Sequence, residues 1–174
     1  MFEGLNKKIL IDPKDSTQIK AALFRYFRFY KNMHCVTETN VLYRDIEDFV
    51  AFKGKEVYCI EIKTDKQDFL NDFKIKEKHR LSPRYDKFYF CVPEEMTDFV
   101  EKYIKQYPRY GVIVVTPSEV KVTKRATRDN SKEFNPYFTP SKERYLFKRL
   151  SSELANEKMK PLLIKKENNA TKSL

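Results

Sequence analysis

Ile19, Ala22, Leu23, Tyr26, Phe27 and Tyr30 recur three and four positions apart, the stripe of an amphipathic helix that starts near Asp15-Ser16. Arg25, Arg28 and Lys31 fall off that stripe. The interleaved run Phe24-Arg25-Tyr26-Phe27-Arg28-Phe29 therefore reads as a core face with solvated arginines rather than as a base-stacking track. The period then changes. Cys35–Thr39 reads as a short strand, and Asp48–Phe52 and Glu56–Lys63 are β-branched and aromatic runs joined through Lys53-Gly54-Lys55 as a hairpin. Thr64-Asp65-Lys66-Gln67 has the capping-box pattern, which predicts Thr64 as N-cap of a helix facing the core with Phe69, Leu70 and Phe73. Lys87–Val92 is a buried strand that Pro93 stops. Glu94-Glu95 then open a helix carrying Phe99, Val100, Tyr103 and Ile104. Gly111–Val115 and Val120–Val122 form a second hairpin-like pair, and Thr139-Pro140 starts a last helix with Leu146, Leu150 and Leu154 four apart.

The predicted order is α-β-β-β-α-β-α-β-β-α: an α/β or α+β domain with a central mixed sheet and helices on both faces. At 174 residues, 41% hydrophobic and 14% aromatic, the chain has enough apolar material for one real core, and it contains no internal repeat. The domain is expected to span residues 1–157. Beyond it, residues 158–174 carry five lysines against Glu167 and read as a basic, flexible tail. Apolar runs such as Gly111–Val115 are too short for a membrane span, and Met1–Lys8 lacks the apolar stretch of a signal peptide. Three cysteines, Cys35, Cys59 and Cys91, make no disulfide framework and point to a reducing, cytoplasmic setting. His34 and His79 offer no zinc spacing. A net charge of +10 favours a polyanionic partner and argues about association, not fold.

The candidate chemistry sits on the first hairpin. A Gly54-Lys55 type II′ turn sets Lys53 against Glu56, Phe52 against Val57, Val50 against Cys59 and Asp48 against Glu61. Lys63, two positions beyond Glu61, points to the same side. Two facing carboxylates repel unless a positive charge lies between them, and a hard divalent cation with oxygen ligands resolves this. Lys63 beside such an ion would orient a water or neutralise developing charge, and the helix that follows aims its first amides at the same place. Phosphodiester hydrolysis requires that combination. Glu-x-Lys alone is a weak string, since Glu119-Val120-Lys121 repeats it on a strand face. Asp45 and Glu47 are alternatives to Asp48 under another turn geometry, and Glu38 on the preceding strand is a further candidate ligand.

At these residues the chain resembles the PD-(D/E)XK nuclease superfamily, and within it the MmcB-like, DNA-repair-associated branch. The resemblance is carried by Asp48-Phe49-Val50-Ala51-Phe52, Glu61-Ile62-Lys63, Asp68-Phe69 with Asp72-Phe73-Lys74, and Tyr85–Pro93. Gly111–Val115 followed by Lys121–Ala126 and the last helix extend it over about Ile19–Ala155. Glu47 stands where the superfamily's nominal proline would be, and Ile75 where an aromatic residue is expected. The resemblance implies a restriction-endonuclease-like core. It also implies Asp48 and Glu61 as metal ligands, the Ile62 backbone carbonyl as a third, and Lys63 as the catalytic lysine, with Asp48 favoured over Asp45.

These readings converge on an Mg²⁺-dependent nuclease, with Mn²⁺ as substitute, that hydrolyses DNA in repair or processing. RNA remains a second substrate class, and membranes are no partner. A homodimer, or a repair or phage protein partner, is compatible with the sequence. Gln67 and Lys74, on one helix face, and Arg125, Arg128 and Lys132, after the last strand, are the candidate phosphate contacts. Two alternatives stand beside this: a non-catalytic nucleic-acid-binding module on the nuclease fold, and a junction resolvase.

Overall fold

A computed structural model describes residues 10–42, 46–80, 84–128, 135 and 137–170. The chain divides into two compact units, Met1–Phe138 and Thr139–Leu174. In the first, elements run α1 (Ser16–Phe24), a π-helical turn (Arg25–Tyr30), β1 (His34–Thr39), β2 (Glu47–Lys53), β3 (Glu56–Ile62) and α2 (Lys66–Arg80). There follow β4 (Lys87–Pro93), a 3₁₀ turn (Glu94–Met96), α3 (Thr97–Tyr103), β5 (Tyr110–Val115) and β6 (Val120–Lys124). The second unit contains α4 (Pro140–Ala170). This is the α/β order that the periodicity predicts.

All six strands form one sheet in the order β1-β2-β3-β4-β5-β6. The β3-β4 and β4-β5 pairs are parallel, whereas β1-β2, β2-β3 and β5-β6 are antiparallel. A mixed sheet of this kind is consistent with a restriction-endonuclease-like core. Alternation along the strands gives it two faces. Phe49, Ala51, Ile60, Cys91 and Ile113 pack with Ile19, Leu23 and Phe27 on the α1 side. On the other side Phe69 and Phe73 of α2 pack edge-on against Phe90 and Tyr110, with ring centroids 4.9 Å (Phe69–Phe90) and 5.7 Å (Phe73–Tyr110) apart. Among the described residues no helix is long and apolar enough to cross a membrane.

The hairpin register is the predicted one: Lys53 faces Glu56, Phe52 faces Val57 and Val50 faces Cys59. Gly54 has φ +55° while Lys55 is not among the positive-φ residues, the pattern of a type II′ rather than a type I′ turn. Asp15 caps α1, its carboxylate accepting the Thr17 N–H at 2.8 Å and the Gln18 N–H at 3.4 Å.

Two expectations need correction. The N-cap of α2 is Asp65, not Thr64: its carboxylate accepts the Asp68 N–H at 2.8 Å, and its carbonyl accepts from Phe69 at 3.2 Å. The first helix does not continue as α-helix through Tyr30. Lys31 N–H reaches back five residues to the Tyr26 carbonyl at 3.2 Å. Widening the turn rotates the apolar stripe, so Phe27 stays buried while Tyr30 is 61% exposed. The last helix runs unbroken through residue 157, as far as Ala170. Along α4, Leu146 is buried and Leu154 exposed.

Candidate active site

Pairing between β2 and β3 ends at Phe49–Ile60, one step before the Asp48–Glu61 pair that the register would continue. Beyond it Asp48 turns a carboxylate oxygen onto β3: Oδ2 accepts the Ile62 N–H at 2.9 Å. Strand chemistry thus gives way to side-chain chemistry at the carboxyl end of β3. Glu61 and Lys63 are both nearly buried there, 5% and 6% exposed. The Lys63 backbone N–H donates to Cys91 O at 2.9 Å, which ties the residue after β3 to β4 and fixes where its side chain leaves.

Lys63 Nζ lies 3.3 Å from each of three carboxylates: Glu61 Oε1, Asp68 Oδ2 and Asp72 Oδ2. Asp68 and Asp72 are four apart on α2, so one helix face presents both to the lysine. The Asp72 side chain is buried like that of Glu61, whereas the Asp68 side chain is 52% exposed. Behind the cluster, the Cys59 thiol donates to Glu47 Oε2 at 2.8 Å. Burial pushes the Cys59 thiol far above its ordinary value, and the nearby charges of Glu47, Glu61 and Asp48 push it further. Burial likewise raises Cys91, with Asp48 adding to the effect. Carboxylates from β2, β3 and α2 therefore crowd one end of the sheet around Lys63.

The structure brings together Asp48, Glu61, Lys63 and the Ile62 peptide unit. It also adds Asp68 and Asp72, to which the sequence reading assigned no role in this cluster, and Glu47, the alternative to Asp48, which bonds the Cys59 thiol. The i, i+4 spacing of Asp68 and Asp72 is visible in the sequence, but which way that face points depends on how α2 packs. Glu38 goes elsewhere: it is exposed, has φ +50° and pairs with Lys20 of α1 at 2.7 Å. Gln67 is exposed and donates along its own helix to Asn71 Oδ1 at 2.8 Å, and Lys74 is exposed on the same helix. Arg125 is exposed, whereas Arg128 pairs with Asp86 Oδ1 at 3.0 Å. Asp86 in turn accepts the Val57 N–H at 2.8 Å, so Arg128 buttresses the start of β3. Asp45 and Lys132 lie outside the described residues.

Among the described residues no group of three or more His, Cys, Asp or Glu side chains is arranged to hold a metal ion. The donor set near Ile62 is instead two carboxylates, Asp48 and Glu61, with the backbone between. That set suits a hard cation that keeps several waters, as Mg²⁺ does, and not a closed protein cage.

No protein-family model matches the chain, and no curated protein does. Among solved structures the chain is similar to a protein of unknown function from Silicibacter pomeroyi. The two share 17% identity over 86% of this chain and 90% of that one, with a TM-score of 0.57. At that identity the likeness is one of fold.

Proposed function

We propose that this protein is a metal-dependent nuclease of the PD-(D/E)XK kind, hydrolysing phosphodiester bonds of DNA in repair or processing. The observation that carries the reading is the convergence of Asp48, from the start of β2, with Glu61 and Lys63, from the finish of β3, in the register that the hairpin turn dictates. A buried ion cluster is a poor source of stability, because desolvation offsets most of its Coulomb energy. Its chemistry explains it better than its energetics do.

In this reading Asp48 and Glu61, with the Ile62 carbonyl, hold Mg²⁺ or Mn²⁺, which when bound supplies Lewis acidity and an activated water. Lys63 neutralises charge developing on the phosphate. Asp68 and Asp72 hold the Lys63 ammonium in place until substrate arrives. The first turn of α2 faces the same region with its amides, although Asp65 already takes the Asp68 N–H.

A second reading is favoured by one specific feature. Lys63 is fully engaged by three carboxylates, as a lysine retired from catalysis would be. In that case the domain binds nucleic acid without cutting it.

One experiment separates the two. Labelled linear, single-stranded, branched and RNA substrates are incubated with Mg²⁺, Mn²⁺ or chelator, with wild type and Asp48→Ala side by side. Cleavage of DNA by wild type alone, abolished by chelator, supports the nuclease. Binding without cleavage, and no metal uptake dependent on Asp48, supports the module.

A further inference from the structure

At the other end of the parallel strands lies a pocket of about 580 Å³. Lys87 and Tyr58 line it from the start of β4 and β3, whereas Glu61 and Lys63 mark the finish of β3. Tyr58 and Tyr89 place it on the α1 side of the sheet, away from the acidic cluster. Its volume is that of a small-molecule site.

The lining has two characters. Lys31, Lys53, Lys87, Lys121 and Arg125 face it against one carboxylate, Glu56. Lys121 is partly engaged by Glu119 at 3.3 Å, but among the described residues neither Lys53 nor Arg125 has an ion-pair partner. Interleaved with these cations are aromatic rings. Lys87 Nζ lies 4.8 Å from the centre of the Tyr58 ring and 3.0 Å from its hydroxyl, and Lys31 Nζ lies 5.3 Å from the centre of the Tyr26 ring. Tyr58 and Tyr89 stand 6.2 Å apart at 49°, with Tyr89 packed beneath. A cavity excess of cations selects an anion, and half-buried rings select a flat, polarizable body.

We infer that this pocket binds a nucleotide, its base against Tyr58 and Tyr26 and its phosphate on Lys53, Lys87 and Arg125. A phosphate that draws Lys87 and Lys31 to itself leaves the ring faces they cover to the base. Cationic grooves interleaved with aromatic side chains bind nucleotide units in this manner without reading sequence. The nucleotide comes either free or as one unit of a single strand. The inference does not rest on the hydrolytic reading, since none of its residues belongs to the Lys63 cluster.

The test is fluorescence anisotropy in the presence of chelator, so that no strand is cut. The probes are a fluorescent deoxyadenosine triphosphate and a short 5′-labelled single strand, with pyrophosphate as the ring-less competitor. The variants are Lys53→Ala/Arg125→Ala, both exposed and, among the described residues, without an ion-pair partner, then Tyr58→Leu with its fold verified by circular dichroism, and Asp48→Ala. Binding of either probe should weaken by about tenfold or more in the double variant and in Tyr58→Leu. It should be unchanged in Asp48→Ala. Binding of the triphosphate alone assigns a free nucleotide, and binding of both probes assigns a strand unit. Affinity indifferent to Lys53, Arg125 and Tyr58, or pyrophosphate competing as well as unlabelled deoxyadenosine triphosphate, overturns the inference.

Discussion

Asp48 Oδ2 accepts the N–H of Ile62 at 2.9 Å, at the point where the backbone ladder between their strands has already stopped. The same carboxylate thus closes the hairpin and stands beside Glu61. Those two jobs separate in Asp48→Asn, whose side-chain oxygen still accepts the N–H but carries no charge. This variant should melt within about 2 °C of wild type. Its metal-dependent cleavage should fall by about a hundredfold or more, beyond the cost of losing an outer-sphere partner. A thermal melt paired with a cleavage assay measures both, and cleavage at the wild-type rate would reduce Asp48 to a structural acceptor.

Lys63 is surrounded unequally. Glu61 and Asp72 are buried beside it, whereas Asp68 is half in solvent. Lys63→Met strands two buried carboxylates and should cost about 3–5 kcal/mol. Asp68→Asn, breaking an exposed bridge, should cost under about 1 kcal/mol. Asp72→Asn should relieve part of the Lys63→Met loss, giving a double variant more stable than the sum of the singles. Urea unfolding of the four variants measures this, and a Lys63→Met as stable as wild type would show that the cluster is solvated.

Why the fold was legible and the site only half so follows from particular residues. Gly54 at a two-residue turn determines the β2-β3 register, and with it the placement of Asp48 near Glu61 and Lys63, by local chemistry alone. Alternation and 3.6-residue periodicity specify the element order because each strand or helix buries one face. Thr64 and Asp65 are both good caps, one residue apart, and local pattern does not choose between them. The turn at Arg25–Tyr30 is wider than an α-helix, yet its residues keep an ordinary helical stripe. The Lys63–Asp72 and Glu47–Cys59 contacts join separate elements, so they exist only once the sheet and α2 have packed.

Gly111 of β5 lies under the Tyr89 ring, at a backbone conformation any residue adopts. A Cβ there would meet the Tyr89 ring carbons and, at 2.6 Å, the Ala126 backbone nitrogen. The ring could move only into the pocket it floors, and the backbone could not yield cheaply. Gly111→Ala should therefore destabilise by about 1–3 kcal/mol through overpacking. Gly54→Ala tests a different cause: open space surrounds that Cβ, and its cost comes from the positive φ alone. Chemical unfolding of the pair, with the Gly111 effect partly relieved in Gly111→Ala/Tyr89→Leu and the Gly54 effect not, checks the assignment.

The three cysteines are free and buried, and burial raises each thiol above its ordinary value of 9.0, Cys35 to about 12 against a small opposing pull from Arg28. Below pH 9 the native and unfolded chains both keep these protons, so the thiols add no pH dependence. Above it the unfolded chain releases protons that the native protein retains. Since the native state then binds more protons, the unfolding free energy falls as pH rises, by about 1.4 kcal/mol per pH unit for each proton of difference. For Cys35 that window runs from 9.0 to about 12. Urea unfolding across pH 8 to about 10.5 should show a decline that is shallower in Cys35→Ala than in wild type. An aromatic disulfide reagent should leave all three thiols untouched at pH 8 until denaturant is added. Equal slopes in the two proteins, or a rapidly reacting native thiol, would show that these cysteines are not held dry in the core.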